Sequence, residues 1–226
     1  MGDQEMAPDK RGNAGRVGLV TGAAGAIGGS VVRRLTVTGW KVAGIDLKKC
    51  EADLSLCVDV TDRAAMVEAA RQVVEKLGPV NLLVTAAADF ERVPFGEIEP
   101  ERWRRMLDVW LGGTANACAA VVPKMVQEGS GTVVTVSADV NQAGPDYVYV
   151  AAASGTIVAY SKSFGCEVAP SGVRVNCIAP RVLTNPDWVA ATVDFLANDG
   201  GYYASQIFSP SESVENERGD IGGRQK

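Results

Sequence analysis

The chain has 226 residues, of which 46% are hydrophobic and 22% are charged, and it carries a net charge of -5. These values suit one globular domain. The acidic balance argues against a nucleic-acid partner, and no apolar run is long enough to cross a membrane. The sequence contains no histidine, which excludes a serine–histidine relay. Its five cysteines lack metal-ligand spacing, so no metal site is expected. They are predicted to be reduced thiols, which indicates a cytoplasmic location.

The first half of the chain alternates predicted strands with predicted helices. The apolar run Val17–Thr21 predicts a strand, and the residues after it predict a helix from Gly25 to about Thr38, which Gly39 closes. The remaining elements of this half are strands over 41–46, within 54–60 and over 81–85, and a helix from its cap at Thr61 to about Leu77.

The second half continues this alternation. Its predicted elements are helices over 100–127, 149–168 and 187–197, and strands over 131–137, 172–178 and 206–208. Several of the strands are continuously apolar, which is typical of a parallel sheet covered by helices on both faces. We therefore predict an α/β fold, a Rossmann-like doubly wound parallel sheet in a single domain. The domain is predicted to span 16–208, between a flexible N-terminal tail (1–15) and a disordered C-terminal tail (209–226).

A glycine-rich loop stands between the first predicted strand and its helix. The segment Thr21–Gly28 reads TGAAGAIG. Glycines let the backbone turn tightly and approach a pyrophosphate, and the helix N-terminus offers free N–H groups and a positive dipole end. The loop therefore predicts a dinucleotide site with contacts from Thr21, Gly22, Ala24, Gly25, Ile27 and Gly28.

An acidic residue ends the second predicted strand at the distance expected for ribose recognition. Asp46 follows the glycine loop by about twenty residues, the spacing of the carboxylate that accepts hydrogen bonds from a ribose 2′-hydroxyl. Such a carboxylate repels a 2′-phosphate, so NAD is predicted in preference to NADP. Lys48 and Lys49 lie close enough to keep NADP open as an alternative.

From about Arg16 to Phe208 the chain resembles the short-chain dehydrogenase/reductase family. The segments that carry the resemblance are TGAAGAIG, Asp46, the pair Asp59-Val60, NLLVTAAA (81–88), GTVVTVSA (131–138), AYSKSFGCEVA (159–169) and GVRVNCIAP (172–180). The resemblance implies that Asp59 and Val60 hold an adenine and that Ala86 and Ala87 line the ribose. Leu47, Pro180 and Val182 complete the predicted cofactor site.

The positions that would carry the family's chemistry hold other residues here. The resemblance implies a proton relay of Asn, Ser, Tyr and Lys, in which the lysine lowers the pKa of the tyrosine. This chain has instead, in the same order, Trp110, Ala138, Val150 and Ser154. Tyr149 lies one residue before the tyrosine position and is a weak candidate for the missing proton donor. A shift of one residue on a helix rotates a side chain by about 100°, so the Tyr149 hydroxyl is expected to point elsewhere.

The segment after the sixth strand also departs from the family pattern. Arg181 stands where a glycine is usual, and it either meets a carboxylate or phosphate of a ligand or is a solvated loop cation. Only Val182 to Pro186 separate this turn from the next helix, so the substrate lid is predicted to be short. A short lid suits a large or carrier-bound ligand, and a subunit interface would explain it equally well.

Three interpretations follow from these patterns. The first is an NAD(H)-binding protein with a degenerate catalytic site, which is redox-silent or performs non-redox chemistry. The second is an active NAD(P)-dependent oxidoreductase that acts on a carbonyl or alcohol substrate with a relocated proton donor. The third is a structural subunit that binds no nucleotide. The resemblance also implies a homodimer or homotetramer that pairs through the helices 100–127 and 149–168.

Overall fold

The structure is a computed structural model that describes residues 15–139, 145–181 and 184–210. Its centre is a parallel sheet of seven strands in the order β3-β2-β1-β4-β5-β6-β7. The strands are β1 (Val17–Thr21), β2 (Lys41–Asp46), β3 (Leu54–Cys57), β4 (Val80–Thr85), β5 (Gly131–Val136), β6 (Val173–Ile178) and β7 (Ile207–Phe208). The strand order reverses between β1 and β4, which is the point where ligands bind in sheets of this kind.

Helices cover both faces of this sheet, which confirms the predicted fold class. They are α1 (Ala26–Val37), α2 (Arg63–Leu77), α3 (Pro100–Leu107), α4 (Gly113–Glu128), α5 (Val148–Val168) and α6 (Pro186–Asn198). Helices α1 and α6 share one apolar cluster with strand residues such as Val20 and Val84. Helices α2, α4 and α5 share another with Leu19 and Leu83. Adjacent residues of one strand thus point to opposite faces, and both faces are buried.

The helix predicted over 100–127 is not one regular helix. A π-helical turn, Asp108–Gly112, separates α3 from α4 and contains the buried Trp110. Two glycines in sequence, Gly112 and Gly113, lower the helix propensity at this point. The apolar spacing continues across the turn, so a pattern of apolar residues alone does not reveal it. π-Helical turns of this kind frequently occur at functional sites.

Three predicted element ends were wrong. Asp62, not Thr61, caps α2, and its carboxylate accepts the Ala65 N–H at 3.0 Å. The strand expected to reach Val60 ends at Cys57. Helix α1 is capped by Thr38, and Gly39 follows it with a left-handed φ of 89°. The other bounds differ by one residue at most.

The predicted tails cannot be compared with the structure. Residues 1–14 and 211–226 lie outside the described residues, so the two tails stay predictions. No helix in the three described ranges has the length and apolarity that a membrane span requires.

A buried carboxylate joins α1 to α6 and thereby holds the helix that follows the glycine loop. Asp194 of α6 is 1% exposed. It accepts hydrogen bonds from Arg34 Nε at 3.1 Å, Thr38 Oγ1 at 3.1 Å and Asn198 Nδ2 at 2.8 Å. Because three donors converge on this group, the packing of α1 depends on it.

We expect Asp194→Ala to lower the free energy of unfolding by about 1.5–3 kcal/mol, the range for a lost hydrogen bond to a charged group. The control is Glu75→Ala, which removes a carboxylate from the exposed pair with Arg71 and should change stability by less than about 0.5 kcal/mol. Urea denaturation of both variants measures the difference. Equal stability of the two variants would contradict the assigned role of Asp194.

Candidate nucleotide-binding site

The glycine loop packs so closely against its surroundings that two of its positions have no room for a side chain. Gly22 has a left-handed φ of 68°, and a Cβ there would collide with the backbone of Ala86. A Cβ at Gly28 would collide with the carbonyl oxygen of Gly22. The loop is fixed to β4 because the Ala86 N–H donates to the Thr21 carbonyl at 3.2 Å. The backbone therefore forms a narrow cradle at the switch point of the sheet.

The first turn of α1 presents N–H groups that no side chain of the helix cap satisfies. Gly25 is the N-cap and has no side chain, and the first turn contains no acidic residue. The first N–H groups of a helix have no partner within the helix, and they carry its positive dipole end. This terminus therefore suits a phosphate or pyrophosphate, which is the group that the glycine motif predicts.

The carboxylate of Asp46 is held beside the glycine loop. Its Oδ2 accepts the Ala24 N–H at 3.0 Å and its Oδ1 accepts the Lys48 N–H at 3.2 Å. Each oxygen keeps a second lone pair, so the group can still accept a hydrogen bond from a sugar hydroxyl. The position at the end of β2 is the one that the sequence predicts for ribose recognition.

A second acidic residue of the site, Asp59, is kept ionised. Its Oδ1 accepts the N–H of Thr61 at 2.9 Å and the hydroxyl of Thr61 at 2.8 Å. These two hydrogen bonds, together with the positive charge of Arg105, lower the pKa of Asp59 although partial burial opposes them. Because both hydrogen bonds use Oδ1, Oδ2 is able to accept a donor such as an exocyclic amine.

Helix α4 supports the turn that carries Asp59. Asn116 Nδ2 donates to the carbonyls of Val60 at 3.0 Å and Thr61 at 3.2 Å. Gly113 allows the close approach, since a Cβ there would lie 2.6 Å from Val60 Cγ2. Neither Asn116 nor Gly113 was predicted. The one sequence signal was their three-residue spacing, which places both residues on the same face of a helix. This spacing does not predict which segment that face contacts.

A cavity of about 230 Å³ lies along this edge of the sheet. Eight of the predicted cofactor residues line it: Gly22, Gly25, Asp46, Leu47, Asp59, Val60, Ala86 and Ala87. The sequence analysis missed five further lining residues: Val58, Ala88, Asp89, Arg105 and Val109. Val109 adjoins Trp110 in sequence, and Arg105 lies one helical turn before Val109. Residues with this spacing share a face of a helix, so the helical repeat was the signal that could have found both.

The remaining predicted cofactor residues do not line this cavity. They are Thr21, Ala24, Ile27, Gly28 and Pro180, and Val182 lies outside the described residues. Thr21 and Ala24 position the site through their backbone, since the first holds Ala86 and the second holds Asp46. The carbonyl of Pro180 accepts the Asp139 N–H at 2.9 Å.

The residues at the relay positions form a packed apolar cluster. Trp110, Tyr149 and Val150 are all buried in it, and Ala138 packs against it. The Trp110 indole Nε1 donates to the carbonyl oxygen of Asp89 at 3.2 Å, which fixes the ring against the loop after β4. Among these side chains, only that of Tyr149 carries a titratable proton.

Ser154, which the resemblance places at the lysine position of the relay, is fully buried. Its Oγ has no hydrogen-bond partner among the described residues, and its carbonyl accepts the Ser137 hydroxyl at 2.9 Å. A neutral hydroxyl supplies no positive charge, so it cannot lower the pKa of a neighbouring tyrosine as a lysine does.

Tyr149 has surroundings that oppose its ionisation. It is 2% exposed, and its ring meets the edge of Trp103 at a centroid distance of 5.9 Å. Burial raises its pKa, and the charge of Glu91 raises it further, while Arg102 acts in the opposite direction. The net shift is away from neutral pH, which is the opposite of what a general acid–base group needs.

Arg181 lies on the exposed surface beyond β6. Its carbonyl accepts the Thr184 N–H at 3.0 Å. Strand β6 ends at Ile178 and α6 begins at Pro186, and the short substrate lid stays a prediction.

Comparisons with known proteins agree with this arrangement. Residues 16–194 match the sequence profile described as short chain dehydrogenase. An uncharacterized oxidoreductase of Schizosaccharomyces pombe is 31% identical over 182 residues, which cover 77% of this chain and 69% of that protein. The 2-dehydro-3-deoxy-L-rhamnonate dehydrogenase (NAD(+)) of a Sphingomonas species is 29% identical over 184 residues, with 76% and 74% covered.

A solved structure shows the same fold. The crystal structure of gox2181 superposes with a TM-score of 0.80 at 25% identity, and the match covers 87% of this chain and 94% of that one. The sequence profile spans the glycine loop, the strands β1 to β6 and the helices around the cavity. The chain belongs to the short-chain dehydrogenase family.

Proposed function

We propose that this protein binds a nicotinamide dinucleotide at the carboxyl edge of its sheet and does not use the family's usual proton relay. The observation that carries the proposal is the contrast between two adjacent regions. The cradle beside the glycine loop is open and lined by Asp46 and Asp59. The relay positions next to it are filled by a packed apolar cluster that contains Trp110 and Val150. The protein would then be redox-silent or would perform non-redox chemistry.

The proposed ligand is NAD(H) rather than NADP(H). The Asp46 carboxylate lies at the end of β2 and is held there by two backbone N–H groups. A carboxylate at this position accepts a ribose 2′-hydroxyl and repels a 2′-phosphate. Lys48 adjoins it and contributes its backbone N–H to the carboxylate, which fixes the acid in place.

The loss of the relay would slow the family's chemistry without preventing binding. General acid–base catalysis is worth about 10²–10⁴-fold in rate. Ser154 and Val150 cannot supply it, because neither carries a group that titrates near neutral pH. The contacts that would bind a pyrophosphate and a ribose lie on other elements, namely the N-terminus of α1 and the end of β2.

A second candidate is an active NAD(P)-dependent oxidoreductase that acts on a carbonyl or alcohol. The relatives favour it more than they favour a silent protein, since those reported above are named an oxidoreductase and a dehydrogenase. In that case Tyr149 is the proposed proton donor, and its side chain must turn so that the hydroxyl, now beside Arg102, faces the substrate. The short connection before α6 would leave the site accessible to a large or carrier-bound substrate.

We also propose a cytoplasmic location and a homo-oligomer. All five cysteines are free thiols, which suits a reducing compartment. The proposed pairing of two or four copies uses α5 and the helical segment 100–128, as the family resemblance implies. In α5 the exposed or half-exposed residues include Ala151, Ala152 and Gly155, whose small side chains permit close packing between helices.

The first prediction concerns the choice of dinucleotide. Asp46→Asn should reduce the preference for NADH over NADPH by about tenfold, because it removes the charge that repels a 2′-phosphate. The control Glu75→Gln removes the same charge from an exposed residue of α2 that does not line the nucleotide cavity. Fluorescence titration with both dinucleotides measures the ratio. An unchanged ratio in Asp46→Asn would contradict the assigned role of this carboxylate.

The second prediction concerns turnover. The wild-type protein should bind NADH but should not oxidise it in the presence of carbonyl substrates, as followed by its absorbance. Tyr149→Phe should leave this result unchanged, as should the control Tyr147→Phe, which alters the half-buried tyrosine two residues earlier. Measurable turnover that disappears in Tyr149→Phe and persists in Tyr147→Phe would overturn the silent assignment in favour of the second candidate.

A further inference from the structure

We propose that the amino edge of the sheet, opposite the nucleotide cavity, carries a separate binding site for a small tetrahedral oxyanion such as inorganic phosphate or sulfate. A cavity of about 140 Å³ lies at this edge, where β1, β2, β4, β5 and β6 begin. The polar side chains that line it belong to Arg16, Trp40, Asn81, Ser130, Thr132 and Arg174. This inference goes beyond the proposed function and does not depend on it.

The lining of this cavity is positively charged. Two of its residues are arginines, and none of the described residues that line it is acidic. The half-buried guanidinium of Arg174 donates to the carbonyl oxygens of Leu196, Gly200 and Tyr203 and to the hydroxyl of Thr132. All of these partners are neutral, and burial lowers the pKa of Arg174. Because a buried charge is costly unless it is paired, an anion in the cavity would supply the missing opposite charge.

A β-bulge places an amide donor in the same cavity. The pairing of β1 with β4 passes from Val17–Val80 to Gly18–Leu82, so Asn81 is the extra residue of the bulge. Its Oδ1 accepts the Val17 N–H at 3.0 Å, which fixes the amide. No described residue accepts a hydrogen bond from its Nδ2, so both N–H groups of Nδ2 remain for a ligand.

The hydroxyl of Thr132 adds a second donor. Thr132 pairs with Arg174 across β5 and β6, and its Oγ1 accepts the Arg174 Nη2 at 2.8 Å. Since the oxygen already accepts from a cation, the hydroxyl proton remains to be donated to another acceptor. Arg174 thus prepares its neighbour to bind an anion.

Trp40 forms another wall of the cavity and holds the second cation. The guanidinium carbon of Arg16 lies 5.6 Å from the centre of the Trp40 ring. The indole Nε1 is buried and has no hydrogen-bond partner among the described residues. A buried donor without an acceptor destabilises a fold, and an oxyanion against this wall would provide the acceptor.

The size of the cavity and the placement of its donors select the class of ligand. Its volume of about 140 Å³ is less than half of the roughly 300 Å³ at which drug-sized pockets begin, so a nucleotide is too large. The donors belong to several strands, which suits the four oxygens of a tetrahedral ion better than a planar carboxylate. Six residues of β4 separate the two edges of the sheet, a distance of roughly 15–20 Å, so the ion cannot be a phosphate of the dinucleotide.

Titration of the full chain with inorganic phosphate, followed by phosphorus NMR at constant ionic strength in chloride, tests the site. We expect saturable binding with a Kd of about 1 mM or below, and displacement by sulfate. Acetate should bind at least about tenfold more weakly. Binding is measured directly because oxyanion salts also stabilise proteins by exclusion from their surface. Absence of saturable phosphate binding, or acetate binding as tight as that of phosphate, would overturn the proposal.

A matched pair of asparagine variants locates the bound ion. Asn81→Asp keeps the oxygen that accepts the Val17 N–H and replaces the donor by a negative charge, so phosphate should bind at least about tenfold more weakly. Asn185→Asp adds the same charge at the exposed N-cap of α6, where aspartate caps as well as asparagine does, and should leave phosphate affinity unchanged. Equal phosphate affinities of the two variants would overturn the proposal.

Titration with NADH separates this site from the nucleotide site. Both asparagine variants should bind NADH as the wild-type protein does, and saturating NADH should leave phosphate affinity unchanged. Displacement of phosphate by NADH would place the ion at the N-terminus of α1 and would overturn the second site alone. Phosphate binding that Asn81→Asp weakens, in a protein that binds no NADH, would support the second site and overturn the proposed function.

Discussion

The close approach between the glycine loop and the end of β4 determines where the other parts of the site lie. Gly22 lies against the backbone of Ala86 at a distance that excludes any side chain, and Gly28 lies equally close to Gly22. This contact aligns the N-terminus of α1 with the switch point of the sheet, where the strand order reverses. A larger residue at either position would displace α1 and with it the N–H groups that face a phosphate.

The same framework holds two regions of opposite character. On one side, Asp46 and Asp59 are fixed as hydrogen-bond acceptors by backbone and hydroxyl donors. On the other, Trp110, Tyr149 and Val150 pack together in a buried apolar cluster. Burial of such side chains stabilises the fold by about 1.5–3 kcal/mol for each one. A polar, hydrated relay would not provide this stabilisation, so the chain has an energetic reason to keep the cluster closed.

The parts of the structure that depend on short-range patterns could be predicted from the sequence. The strands, α5 and the glycine loop follow from apolar runs and glycine spacing, and Asp46 follows from its distance to the loop. The π-helical turn at 108–112 could not be predicted, because the apolar spacing around Trp110 is the same with or without it. Arg105, Asp89 and Asn116 were also missed, because each acts through a contact with a distant segment, and local patterns carry no information about such contacts.

The alternative that the relatives favour requires a different arrangement of the same residues. For hydride transfer assisted by Tyr149, the hydroxyl must leave its present place beside Arg102 and approach the nicotinamide ring. Its pKa must also fall toward neutrality, whereas its present surroundings raise it. The two accounts therefore differ in the position of Trp110 and Tyr149 once a ligand is bound.

A crystal structure of the protein with NADH tests the central claim most directly. The account predicts that the adenosine diphosphate lies between the N-terminus of α1, Asp46 and Val109, and that the Trp110 indole still donates to the Asp89 carbonyl. A structure in which Trp110 has moved aside and the Tyr149 hydroxyl lies within hydrogen-bonding distance of a substrate oxygen beside the nicotinamide would contradict it.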